Sequence, residues 1–137
     1  MAGRLILDAE AVSALARPRS SPKAAKRAQA VLESARRNGA VVTVPAAVLV
    51  EVYRGTRHDA AVDWVLRRIA EIVPTGHSVA RRGGKLLADT HLDSAHAIDA
   101  LVVATAVRLG GGLIATHDPE DLQRLAADYP NVTIVAI

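Results

Sequence analysis

Cysteine is absent from the 137 residues. That excludes a disulfide framework and any thiolate metal site, and it fits a reducing, cytoplasmic setting. Phenylalanine is absent too, and Trp64, Tyr53 and Tyr129 are the whole aromatic complement. Half of the chain is hydrophobic, so the core has to be built from Ala, Val, Leu and Ile. Such small side chains imply closely packed helices, not a cavity for a large flat cofactor. No run of about 18 apolar residues occurs, so no membrane-spanning helix is expected. The apolar stretch Leu5 to Leu7 is too short for the core of a signal peptide. The length fits one domain, 1–137, and no repeat, low-complexity tract or linker interrupts it.

Charge is unevenly spread. Residues 1–39 carry eight Lys/Arg against three Asp/Glu, whereas residues 111–137 carry one against four. The basic first third, with Arg17, Arg19, Lys23, Lys26 and Arg27, is a candidate surface for a polyanion such as RNA. The ordinary alternative is a solvated helix face.

The order of elements reads from hydrophobic periodicity and breakers. Leu5-Ile6-Leu7 is a short buried strand, and Ala9 to Ala16 is helical until Pro18, Ser20, Ser21 and Pro22. Lys23 to about Arg37 is a second helix, stopped by Asn38-Gly39. Val41 to Val44 is the second strand. Pro45 suits the first position of a helix running to about Arg54, with Gly55 ending it. Another helix covers roughly Asp59 to Ala70, before a short strand at Ile72-Val73. Val79 to Leu87 is helical despite Gly83-Gly84. Ser94 to Leu109 is a helix ended by Gly110-Gly111-Gly112. Leu113 to Thr116 is a fourth strand, a helix runs from Asp118-Pro119 to about Asp128, and Val132 to Val135 is the last strand. Short, continuously apolar strands alternating with helices predict an α/β fold: a mainly parallel sheet of about five strands flanked by helices. Right-handed crossovers place the strand C-terminal ends on one edge, where such folds bind ligands.

Four acids draw attention to that edge. Asp8 follows the first strand and Asp118 follows the fourth, although each also suits a helix N-cap. Asp99 is the only charged residue from Ala97 to Val107, among apolar neighbours, and a buried unpaired carboxylate costs several kcal/mol. Its N-cap alternative is better served by Asp93 or Ser94. From Ala40 to Val52 the only polar side chains are Thr43 and Glu51, and the plain alternative for Glu51 is a pair with Arg54. Converging carboxylates repel by about 4 kcal/mol at 4 Å and an effective dielectric near 20. A divalent cation removes that cost. Oxygen ligands favour Mg²⁺ or Mn²⁺, which can polarise a phosphate and supply the nucleophile.

Leu5-Ile6-Leu7-Asp8, Glu51 in the next helix, Ile98-Asp99-Ala100-Leu101-Val102-Val103-Ala104-Thr105-Ala106 and Ile114-Ala115-Thr116-His117-Asp118-Pro119-Glu120-Asp121-Leu122 together resemble the PIN-domain nucleases. The sequence is most similar to the VapC-type toxins of bacterial toxin–antitoxin pairs, over essentially the whole chain and in the right order. The resemblance implies a PIN-like three-layer fold with Asp8, Glu51, Asp99 and Asp118 in the family's acidic positions. It implies that Thr116 supplies the hydroxyl supporting the fourth acid, and that Asp121 shares or replaces the role of Asp118. It further implies a Mg²⁺- or Mn²⁺-dependent ribonuclease, dimeric, inhibited by a small antitoxin. Where many members carry Ser or Thr immediately after the first Asp, this chain has Ala9 and then Glu10. That hydroxyl ligand is missing, and Ser13 is a poor substitute.

Other constellations carry less. His91 and His96 are five apart and do not share a helix face, so a metal site there with Asp93 is set aside; His96, three residues before Asp99, is placed to hydrogen-bond near the site but is read as structural. His117 is a candidate substrate contact. Gly110-Gly111-Gly112 lacks the Lys-Ser/Thr of a phosphate loop and is read as a turn. A signalling receiver would need an Asp after the third strand and a Lys after the fifth, and no Lys follows Arg124. The remaining alternative is a non-catalytic nucleic-acid or protein-binding module that retains the fold.

Overall fold

The computed structural model describes residues 3–137. Five parallel strands form one sheet in the order β3-β2-β1-β4-β5: β1 (Arg4–Leu7), β2 (Val41–Pro45), β3 (Glu71–Val73), β4 (Gly112–Thr116) and β5 (Val132–Ala136). The helices between them are α1 (Ala9–Ala16), α2 (Pro22–Arg37), α3 (Asp59–Ile69), α4 (His77–Thr90), α5 (Ala97–Arg108) and α6 (Pro119–Leu125). Among the described residues, no helix is long and apolar enough to cross a membrane.

The central strand explains the topology. Leu5, Ile6 and Leu7 are all essentially inaccessible, as a strand covered on both faces requires. In register, Leu5 pairs with Val42 on one side and Leu113 on the other. The chain first builds outward through β2 and β3, then returns to the other side of β1 for β4 and β5. The reversal lies between β1 and β4, so a crevice opens at their C-terminal ends. Helices α1 and α2 pack together on one face, and α4, α5 and α6 form a group on the other. Helix α5 buries more residues than any other helix, with Ala100 and the run Val102–Ala106 inside the core. Apolar residues all round a helix mean that it is enclosed.

Two glycines permit the close approaches. A Cβ on Gly83 would lie 3.2 Å from a Leu101 methyl, so α4 and α5 meet across the glycine. That is why Gly83-Gly84 do not break α4, which runs longer than the periodicity suggests. At Gly111, φ is +110° and a Cβ would fall 2.6 Å from the Asn131 carbonyl oxygen, so only glycine suits the turn into β4.

Three further helix boundaries differ from the sequence-based expectation. The segment after Pro45 is a 3-10 helix over Ala46–Glu51, not an α-helix to Arg54. Asp59 terminates it by accepting the main-chain N–H groups of Arg54 and Gly55 at 3.0 and 2.8 Å. Ser94–His96 is a separate 3-10 turn, with the Asp93 carboxylate accepting the Ala95 N–H at 3.0 Å. Helix α6 stops at Leu125, and the chain turns through Tyr129, which precedes Pro130 and is thereby steered out of helical geometry.

Candidate functional site

The crevice between β1 and β4 collects the acids from four places in the sequence. Asp8 leaves the end of β1 and caps α1, its Oδ1 accepting the Ala11 N–H at 2.9 Å. Asp118 and Asp121 follow β4 on the approach to and first turn of α6. Asp99 lies in the first turn of α5, where the helix dipole favours a negative charge. Glu51 closes the 3-10 helix after β2 and is exposed.

Burial ranks the acids differently from the sequence pattern. Asp99, surrounded by apolar sequence neighbours, is only half-buried. Asp8 is the enclosed one, at 8% exposure. Desolvation pushes the Asp8 carboxyl up to about 6, against the Thr116 hydroxyl and the Ala11 amide, which both favour its charged form. Desolvation also raises Asp99, helped by the negative charges of Asp118 and Asp121 and more weakly by Glu51, and opposed by His96. Asp99 is thus within electrostatic reach of every other member: it also acts on Asp8. Thr116 is fully buried at the end of β4, and its Oγ1 accepts the Asp118 N–H at 3.0 Å.

The tightest group is His96, Asp99 and Asp121, whose ligand atoms lie within 4.8 Å of one another. His96 Nδ1 stands 3.4 Å from Asp121 and 4.0 Å from Asp99. Sequence reasoning notes the three-residue spacing of this histidine to Asp99 but reads the residue as structural, because nothing in the sequence brings Asp121 to the start of α5. Asp8, Glu51 and Asp118 are not part of this tight triad.

The plain alternatives for the acids can be checked directly. Arg54 donates to the carbonyl oxygens of Val50 and Tyr53, not to Glu51. Asp118 sits at the cap position of α6 without a side-chain capping bond. Among the described residues, no ion pair joins a Lys or Arg to Asp8, Glu51, Asp99, Asp118 or Asp121. Like charges gathered without a Lys or Arg partner fit a divalent ion, and a carboxylate-dominated donor set without sulfur fits Mg²⁺ or Mn²⁺.

Of the basic residues, Arg17 lines a polar cavity of about 290 Å³ together with Glu51 and His117. Arg19, Lys23, Lys26 and Arg27 are exposed along the α1–α2 turn and α2.

The PIN domain family model matches residues 5–128, and the chain belongs to that family. Family membership supports a nuclease class for the site. No match is found among curated proteins. Several solved structures are similar in fold, two of them as follows. One is a chain of VapBC2 from Rickettsia felis bound to a DNA fragment from their promoter, with a TM-score of 0.69, 14% identity, and coverage of 97% of this chain and 98% of that one. The other is PAE2754 from Pyrobaculum aerophilum, with a TM-score of 0.59, 16% identity, and coverage of 98% and 91%.

Proposed function

We propose that this protein is a Mg²⁺- or Mn²⁺-dependent endoribonuclease and the toxin of a toxin–antitoxin pair. The observation that carries the reading is the gathering of Asp8, Glu51, Asp99, Asp118 and Asp121 around one crevice with, among the described residues, no Lys or Arg paired to them. A bound divalent ion would neutralise these acids and supply Lewis-acid activation of a phosphodiester. Asp99 and Asp121, with His96 beside them, would hold it, and Asp8, Glu51 and Asp118 would complete or extend the set.

The remaining roles fall to this chain's own groups. Thr116 orients Asp8 through its hydroxyl and Asp118 through its hydroxyl oxygen, as supporting partners of ligands commonly do. Arg17, Arg19, Lys23, Lys26 and Arg27 offset backbone phosphates. With Trp64, Tyr53 and Tyr129 outside the acid cluster, base stacking contributes little. An antitoxin partner, a homodimer and a cytoplasmic location follow from the resemblance to VapC-type toxins. The fold shared with a chain of the VapBC2 structure supports the antitoxin.

The test is cleavage of single-stranded RNA with added Mn²⁺. Cleavage that is abolished by chelator and by Asp99→Asn supports the reading. Metal binding without any cleavage would favour a non-catalytic module that retains the fold.

A further inference from the structure

The polar cavity beside the acids is built by separate parts of the chain. Glu10 comes from α1, Arg17, Ser20 and Ser21 from the turn before α2, Glu51 from the 3-10 helix, and His117 from the end of β4. Glu51 also acts electrostatically on Asp99, and His117 adjoins Asp118, so the cavity opens directly onto the acid cluster. Its volume of about 290 Å³ is at the small end of ligand sites, which start at roughly 300 Å³. That suits one nucleotide and not a stacked run. No Phe, Tyr or Trp lines it, so hydrogen bonds are the main source of selection there.

We propose that this cavity is a subsite for one unpaired nucleotide next to the bond that is cut, and that it favours guanine. The inference rests on the ribonuclease reading for its position relative to cleavage, but not for the binding itself. A carboxylate only accepts hydrogen bonds. Guanine alone offers it two adjacent donors on one edge, the ring N–H and the exocyclic amino group. Adenine and cytosine offer the amino group alone, and uracil a single ring N–H. Glu10 is an exposed carboxylate lining the cavity, near enough to Asp8 to act on it electrostatically. Arg17 can take the nucleotide's phosphate with its planar fork, and the Ser20 and Ser21 hydroxyls suit the sugar. His117 is held by a 3.3 Å contact from Nδ1 to the main-chain oxygen of Ile137. A carbonyl only accepts, so Nδ1 carries the proton and Nε2 is left for the ligand.

Equilibrium binding of GMP, AMP, CMP and UMP in Mn²⁺ tests this without any bond being cut. GMP should bind about tenfold tighter than the other three, the scale of one good bidentate contact. Glu10→Gln should bring the four nucleotides within about twofold of one another, because the amide replaces one acceptor with a donor. Arg17→Ala should weaken all four alike. Equal binding of the four by the wild type, no binding of GMP, or a guanine preference that survives Glu10→Gln would overturn the subsite. Mn²⁺ affinity and RNA cleavage, measured in parallel, report on the acid cluster. Their loss alongside an intact guanine preference would sink the nuclease reading and leave the subsite standing.

Discussion

Thr116 accepts the main-chain N–H of Asp118 on its hydroxyl oxygen at 3.0 Å. The same hydroxyl favours the charged form of Asp8. One buried side chain at the end of β4 therefore holds the acid of the neighbouring strand and the start of the loop that carries Asp118 and Asp121.

Thr116→Val keeps the shape and removes both contacts. Mn²⁺ affinity should fall at least tenfold, the usual range for a lost supporting partner. Metal-free stability should fall by about 1–2 kcal/mol for the unpaired groups left behind. Thr116→Ser should restore most of the affinity. Calorimetric titration of the three proteins reads this directly, and equal affinities would remove Thr116 from the site.

The Asp8 carboxyl, raised by burial from its usual 3.8 to about 6, gives the metal-free protein a specific pH dependence. An acid whose folded-state pKa is raised binds its proton more tightly when folded. Its stabilising contribution is full below about pH 3.8 and is lost as pH rises through about 6. The difference corresponds to about 3 kcal/mol. In chelator, the stability of wild type relative to Asp8→Asn should decline between pH 4 and 7 by an amount of that order. Asparagine still caps α1, so the comparison isolates the charge. A flat difference across this window would mean that Asp8 is better solvated or better paired than its burial implies.

Neutralising Arg17, Arg19 and Lys23 together should weaken binding of a generic single-stranded RNA and flatten its salt dependence. Each lost phosphate contact on a single strand removes about 0.7 from the slope of log affinity against log salt. An unchanged slope would make the basic turn a solvated surface or a protein-facing one.

The sequence was informative where one physical constraint dominates. Leu5-Ile6-Leu7 could only be buried, and an Asp on either side of the β1–β4 switch point could be placed on one edge from strand ends alone. The 3-10 geometry of Ala46–Glu51 was not legible, because it depends on Asp59, in the next helix, accepting the main-chain N–H groups of Arg54 and Gly55. The burial order of the acids was not legible either. An apolar run around Asp99 describes the faces of α5, but its position in the first turn leaves the carboxylate at the crevice mouth. Asp8 looks like an ordinary cap and is covered only once β4 brings Thr116 alongside. His96 required knowing that α6 returns Asp121 to the start of α5.

The most direct measurement is the order of thermal melting of wild type and Asp99→Asn, first in chelator and then in Mn²⁺. Converging acids store repulsion when metal-free, so the mutant should melt higher in chelator, by an amount equivalent to about 1–2 kcal/mol. Mn²⁺ should reverse the order, because only the wild type binds it tightly enough to gain by mass action. If Asp99→Asn instead melts lower in chelator and Mn²⁺ stabilises neither protein, Asp99 is a structural residue and the acids do not form a metal site.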